Sequence, residues 1–252
     1  MQTRWRWLAL GVGAYLAFVL VSFPAGTAYA WFAPAELVLT GIQGTLWKGR
    51  AAGGTVGGLA LRDINWDVHV LRLLIGRLSA EIRAQLSDGG VSANVTVTPS
   101  RVAMTDVRAS TSLPTLRAVL PVSGTQGQAN VSLSRLELDD GRLVEVIGEL
   151  NLAQLEITPL ISTGPRRLVP IGNYAIQFLE SSGKGVNATF RDTGGPLEVT
   201  GTLVVDNARA YTLDGMIKPR ADAPQELLDG IAVITADPDA AGRRRITLTG
   251  SL

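Results

Sequence analysis

The residues suited to acid–base or ligand chemistry are few in this sequence, and they are scattered. His69 is the sole histidine, two positions from Asp67 and four from Asn65; a carboxylate beside an imidazole is the arrangement that orients a general base. On an alternating segment all three share one polar face, and a solvated histidine accounts for them. Asp139-Asp140 offers adjacent carboxylates, but Asp140-Gly141 is a two-residue hairpin signal that explains the same residues. Cysteine is absent, which removes thiol catalysis, zinc–thiolate sites and disulfides. There is no HExxH, GxSxG or Walker A sequence, and Gly53 to Gly58 lacks the GxGxxG order of a dinucleotide-binding turn. The sequence therefore assigns no catalytic residue, no metal ligand and no cofactor, and points away from an enzyme.

Binding rather than bond-making is the remaining chemistry. Arg243-Arg244-Arg245 and Arg166-Arg167 are suited to phosphate or anionic lipid heads, or else serve as charged gatekeepers beside hydrophobic strands. Trp47 and Trp66 are the aromatic candidates for contact with a partner, with core packing as the competing role. Asn94, Asn130 and Asn187 each begin an Asn-x-Ser/Thr triplet, which matters only in a glycosylating host. With 23 Lys+Arg against 22 Asp+Glu the net charge is +1, so no nucleic-acid partner is expected.

The elements that would position these groups are mostly strands. Glycines between Gly41 and Gly58 exclude a stable helix there and suggest short strands with tight turns. Ile64, Trp66, Val68 and Val70 alternate with polar residues, as do Leu78 to Leu86 and Val91 to Val97, so these three runs predict a β-meander. Pro114 and Pro121 frame a short helix over Leu113–Leu120 that buries Leu116, Val119 and Leu120. Val131 and Leu133 are out of phase with Leu136 and Leu138, which predicts a bulge near Arg135. Leu155 to Pro170, with three prolines, reads as a loop between halves at 36–155 and 171–252. Further strands are expected at Val186–Phe190, Leu197–Val205, Ala210–Ile217, Ile231–Ala236 and Arg245–Leu252. Asp222 is placed to cap a single helical turn stopped by Gly230.

Ahead of all this lies the uncharged stretch Trp7 to Ala35, preceded by Arg4 and Arg6. As one helix from Trp7 to Trp31 it would be roughly 37 Å long, against a hydrocarbon core of about 30 Å. The residue types fit a transmembrane anchor with a cytoplasmic N-terminus (1–6), a span within 7–35 and an exported β-rich domain over 36–252. A cleaved signal peptide ending at Ala28-Tyr29-Ala30 is the alternative.

One spacing recurs. Leu197-Glu-Val-Thr-Gly201-Thr-Leu203 matches Ile246-Thr-Leu-Thr-Gly250-Ser-Leu252, and Val144-Glu-Val-Ile-Gly148-Glu-Leu150 fits the same frame in part. The fold expected is thus mainly β: an N-terminal transmembrane helix, then a curved antiparallel sheet built from repeated strand modules, with few short helices.

Phe23-Pro24-Ala25, Gly44-Thr45-Leu46-Trp47-Lys48-Gly49, Trp66, Gly76, Gly194-Gly195-Pro196-Leu197, Gly201, Tyr211, Gly215, Pro219-Arg220, Gly242 and Gly250-Ser251-Leu252 appear in an order that resembles the protein N family of the bacterial type II secretion system. That resemblance implies a single-pass inner-membrane protein with a periplasmic β domain, an accessory part of the machine that exports folded proteins. It implies no catalytic residues, and as partners it implies the inner-membrane platform, the secretin and the phospholipid bilayer. An anchor followed by strand modules also resembles AsmA-like lipid-handling proteins, which implies an apolar groove holding lipid.

Overall fold

Alternating apolar and polar residues fold here into long strands joined by tight turns. The computed structural model describes residues 2–34, 37–70, 76–118, 124–140, 142–159, 167–180, 185–206 and 210–251. Among them fourteen strands form one antiparallel sheet: β1 (Leu37–Thr40), β2 (Gln43–Gly44), β3 (Lys48–Val56), β4 (Leu59–Val68), β5 (Leu78–Leu86), β6 (Gly89–Val97), β7 (Arg101–Ser112), β8 (Thr125–Asp139), β9 (Arg142–Ile157), β10 (Val169–Leu179), β11 (Val186–Gly194), β12 (Leu197–Val205), β13 (Ala210–Pro219) and β14 (Arg244–Ser251). From β3 onward each strand pairs with the next; β1 lies on the outer side of β3, and the two-residue β2 also pairs with β3.

Cross-strand partners share a face, so the register decides what each face carries. Ala51 opposes Ile64, Val91 opposes Ala109, Leu136 opposes Val146 and Val199 opposes Ile217. One face is therefore apolar from β3 to β14, and the other carries Ser, Thr, Asn and ion pairs. Bulges hold this phase where the sequence slips. The register shifts between Leu133 and Arg135, where the sequence predicts it, and again around Asp106, whose φ is 51°. At β10 the sheet bends: Cα atoms of β9 and β11 come within 8 Å across it, closer than the roughly 9.6 Å of two strand spacings. Gly172 permits this, because a Cβ there would sit 2.3 Å from the Gly194 carbonyl.

A single sheet leaves much surface uncovered. The accessible area is 16181 Å², against about 10,700 Å² for a compact monomer of this mass. Among the described residues the buried apolar side chains form three separate clusters: Ala51, Ile64 and Ala84; Leu133, Val146 and Val186; and a larger one under a helix at the C-terminal end.

That helix corrects the sequence reading. Ile231–Ala236 is not a strand: α3, named after two N-terminal helices described below, spans Gln225–Ile234 and runs through Gly230. Its N-cap is Pro224, with no side-chain capping bond, so Asp222 does not cap it. Leu227 and Ile231, one turn apart, bury 94% and 96% of their surface against Val169, Leu197, Val199, Ile217 and Ile246. Burial of a one-sided apolar stripe outweighs the β-preference of Ile231, Val233 and Ile234.

The N-terminal stretch is likewise not one helix. Helix α1 (Gln2–Val21) ends before Phe23-Pro24, and α2 (Ala25–Phe32) follows with Pro24 as its N-cap. Pro24 has no N–H to continue a helix and forms an isolated β-bridge with Thr45 instead. Among the described residues no helix is long and apolar enough to cross a membrane. The helix expected over Leu113–Leu120 is a 3-10 helix, Leu113–Ala118, which buries Leu113; Val119 and Leu120 lie outside the described residues.

Asp88 pins the β5–β6 turn to the end of β7. Its Oδ1 accepts the Thr111 and Thr115 hydroxyls at 2.9 and 3.0 Å, and its Oδ2 the Ser112 amide at 2.9 Å. Hydrogen bonds from Ser112, then from Thr111 and Thr115, hold the carboxyl at about 2. Its native pKa lies below the ordinary value of about 3.9, so its contribution is complete above that pH and is lost as pH falls through about 2. Denaturant titrations at pH 5, 3 and 2 are expected to show wild type more stable than Asp88→Asn at pH 5, with the gap closing towards pH 2. A gap that stays constant would contradict the assignment.

Candidate functional site

The tight turn after β2 is where the two candidate tryptophans meet. Thr45 N–H donates to the Lys48 carbonyl at 2.9 Å and Lys48 N–H to the Thr45 hydroxyl at 3.1 Å, which throws Leu46 and Trp47 outward. The Leu46 amide donates to the Phe23 carbonyl at 2.9 Å. Trp47 Nε1 donates to the Leu20 carbonyl at 2.7 Å, satisfying one of the acceptors that the last turn of α1 leaves open. Trp66, from β4, donates its Nε1–H to the Leu46 carbonyl at 3.2 Å, and its ring lies over Gly49, where a Cβ would stand 2.4 Å from Cζ2. Phe23 and Trp31 close the other side with ring centroids 5.9 Å apart. The Gly44–Gly49 motif is thus a latch joining the end of α1 to the sheet. Beside it, α2, β1 and β4 line an open apolar cleft of about 430 Å³ that includes Ala28, Tyr29, Leu37, Ile42, Leu46 and Trp66.

Ring over glycine recurs and explains most of the sequence repeat. Phe190 covers Gly201 and Gly215, and Tyr211 covers Gly250; an aromatic side chain supplies the contacts a glycine lacks on its own strand. Gly148 differs: the atoms nearest to a Cβ there are the Ser132 carbonyl and Leu133, and its φ is 145°. The two C-terminal matches share a device, and the third shares only spacing.

Pro219-Arg220 and Gly194-Gly195-Pro196-Leu197, far apart in sequence, also meet. The Arg220 amide donates to the Pro196 carbonyl at 2.8 Å, and its guanidinium to the Gly195 and Leu197 carbonyls. The same guanidinium reaches Asp192 Oδ2 at 2.5 Å, while Asp192 Oδ1 accepts the Val199 amide at 2.9 Å. This clamp fixes the β11–β12 turn against the end of β13. Burial, with the Asp192 charge, pushes the Tyr174 hydroxyl up to about 12; it donates to the Ile171 carbonyl at 2.7 Å. Periodicity did not reveal Asp192 as a partner, because it falls beside the bulge at Asn173/Tyr174 that shifts its phase.

The arginine run is committed within the chain. Arg243 Nε reaches Asp239 Oδ2 at 3.0 Å, Arg244 donates to the Ala236 carbonyl at 3.3 Å, and Arg245 Nε reaches Asp214 Oδ1 at 3.0 Å. The Arg245 guanidinium holds the Asp214 carboxyl below the usual range, and the Arg243 amide does most to lower that of Asp239. Arg167 is exposed, and Arg166 lies outside the described residues. His69 is exposed, its amide bonded to the Ser79 carbonyl at 2.8 Å, while Asp67 pairs with Lys48 at 2.8 Å. Asp140 sits in the β8–β9 turn with φ 47°, and Asp139 opposes Arg142; Gly141 lies outside the described residues. Among the described residues no group of three or more His, Asp or Glu is placed to hold a metal ion. Lys48–Asp67, Arg101–Glu137, Arg135–Glu145 and Arg245–Asp214 fasten neighbouring strands, and the described titratable groups do not converge on one point. What the geometry offers is a contact surface and a joint.

Comparison with known proteins bears on what that joint belongs to. Residues 35–247 match the family described as type II secretion system (T2SS), protein N. Type II secretion system protein N of Vibrio cholerae serotype O1 is 31% identical over 264 residues, covering 97% of this chain and 99% of its own. The protein of the same name from Aeromonas hydrophila is 23% identical over 254 residues, covering 97% of each. No solved structure matches the chain. The matched stretch runs from the α2–β1 junction into β14, through the Gly44–Gly49 motif, the Arg220 clamp and the ring-covered Gly201 and Gly215, and the chain belongs to the type II secretion system protein N family.

Proposed function

We propose that the chain is an accessory component of a type II secretion system, acting as a structural adaptor rather than an enzyme, with the sheet on the periplasmic side of the inner membrane. Family membership over nearly the whole chain carries the secretion reading, and the latch carries the mechanical one. Helix α1 is about 30 Å long by helical rise, and Trp7, Leu10, Val12, Tyr15, Phe18 and Val21 are exposed on its several sides. A helix apolar all round fits a lipid environment better than water. Its apolar part, Trp7 to Val21, is 15 residues, shorter than a full span, a mismatch that local thinning and snorkelling of flanking residues accommodate. Arg4 and Arg6 then set a cytoplasmic N-terminus for residues 1–6, an anchor within 7–35 and a periplasmic domain over 36–252. Trp47 and Trp66 act here as the joint that fixes the sheet's angle to the anchor, and the platform subunits and the secretin are the partners this places within reach. The AsmA-like alternative finds no support among the comparisons.

Four measurements test this. Alkaline extraction of native membranes is expected to leave the full chain in the pellet and to release a variant lacking residues 2–21; release of the full chain would refute the anchor. Mature chain beginning at Trp31 would remove it too. Deleting the gene in the native host is expected to leave folded exoproteins in the periplasm, and unchanged secretion would sink the adaptor reading. Trp47→Ala, which leaves the Leu20 carbonyl only the long bond from the Phe23 amide at 3.4 Å, is expected to speed protease cleavage between α1 and β3 several-fold while leaving the sheet's stability within about 1 kcal/mol of wild type.

A further inference from the structure

The sheet has two ends, and they are finished differently. At β1 the edge is closed by α2: the Tyr29 hydroxyl donates to the Leu37 carbonyl and accepts from the Leu39 amide, both at 3.0 Å. The Leu37 amide is taken by the Pro34 carbonyl at 3.0 Å. Such closure is how a sheet avoids joining other chains by its edge. At β14, among the described residues, only the beginning is covered, where the Ala236 amide donates to the Arg245 carbonyl at 3.1 Å.

That bond also fixes which way the strand points. In an antiparallel edge strand alternate residues direct both backbone groups outward. With Arg245 facing out, Thr247, Thr249 and Ser251 do the same, and among the described residues no segment pairs with them. We propose that this edge pairs with the β14 of a second copy of the chain, antiparallel about a two-fold axis at Thr249. The proposal rests on the strand geometry and is independent of the secretion reading.

Three observations select a second copy and this register. Centring on Thr249 opposes Thr247 to Ser251 and Thr249 to its mate, which uses all three outward residues and leaves the occupied Arg245 carbonyl alone. The same register sets Leu248 opposite Gly250. Leu248 is 46% exposed at the end of the apolar face, and the Tyr211 ring already lies over Gly250, so each leucine meets an aromatic surface and the apolar face continues across the junction. Charge agrees as well. Arg243 and Arg245 are paired with Asp239 and Asp214, so the edge asks for no acidic partner, and the antiparallel sense keeps each arginine run away from the other.

The chain has no cysteine, so one introduced thiol reports the contact. Residues opposed in a hydrogen-bonded antiparallel pair lie about 5.5 Å apart at Cα, within disulfide range. Purified full-length Thr249→Cys in detergent, under mild oxidation, is expected to run as a disulfide-linked dimer, and Val38→Cys, at the edge closed by Tyr29, as a monomer. Sedimentation should give the untagged wild type a dimer mass, and Leu248→Lys, which opposes no acid, should weaken the association at least tenfold with an unchanged far-UV spectrum. A monomeric wild type overturns the proposal. So does a dimer that links through Val38→Cys but not Thr249→Cys, or a Thr249→Cys chain that links in membranes only to another secretion component.

Discussion

Gly201→Ala is expected to destabilise the sheet by about 2–3 kcal/mol, near the upper end for overpacking, and Gly215→Ala by no more than about 1 kcal/mol. The two glycines are cross-strand partners under one ring, yet they are not equivalent. A Cβ at Gly201 would lie 2.3 Å from Phe190 Cζ, 2.5 Å from the Asp214 carbonyl oxygen and 2.8 Å from the Gly215 Cα. The ring can swing aside, but the two backbone atoms belong to β13 and cannot retreat without parting it from β12. At Gly215 the nearest atoms are Phe190 Cζ at 3.0 Å and the Thr200 carbonyl at 3.1 Å, a misfit of tenths of an ångström. Urea midpoints of the two variants separate these cases. Adding Phe190→Leu to Gly201→Ala should recover only the ring's share; full recovery, or equal losses at the two glycines, would mean that the backbone contact is not the cause.

Ile231→Asp has the other large effect, and its size is bounded. Truncation to alanine at a site 4% exposed costs about 2–5 kcal/mol. A carboxylate in the same place must ionise among Leu197, Val199 and Ile217 or leave them. Leaving is the easier course, since α3 is a terminal layer resting on the sheet. The loss then saturates at what docking of Leu227 and Ile231 contributes, about 4 kcal/mol from two buried side chains. The expected result is increased binding of a hydrophobic dye, loss of helical signal from about one short helix, and a sheet that still unfolds cooperatively. Collapse of all β signal in native buffer would show that α3 nucleates the C-terminal strands rather than covering them.

Period-2 alternation carried the strand assignments well: β5 has the bounds its apolar residues imply, and the slip between Leu133 and Leu136 is the bulge it predicts. Both are local, and from β3 onward each strand's neighbour in sequence is its neighbour in space. Alternation failed where a distant surface decides. Ile231, Val233 and Ile234 read as a strand until four strands of apolar face are laid beneath Leu227 and Ile231, with Val233 left in solvent. Trp7 to Ala35 reads as one apolar helix until the Pro24–Thr45 bridge and the latch claim its middle. The latch itself was visible only as an ordered set of glycines and tryptophans, because hydrogen bonds from indole N–H to carbonyl leave no period in a sequence. Asp192 left no signal, because the bulge at Asn173/Tyr174 shifts its phase, and Tyr29 signalled only a cleavage-like Ala-x-Ala, not its bonds to β1.

The next-neighbour order of the strands sets how this molecule comes into being. Each hairpin finds its partner a few residues back along the chain, so from β3 to β9 every strand can be laid down against one already made, and low sequence separation favours rapid, stepwise growth. Such a sheet behaves as a linear array with nearest-neighbour couplings, in which a fault is felt locally rather than everywhere. Only at the far end does α3 tie β10, β12, β13 and β14 into one unit. Proteolytic nicking and hydrogen exchange should therefore find a domain that loosens from its middle, with its C-terminal third the last to yield.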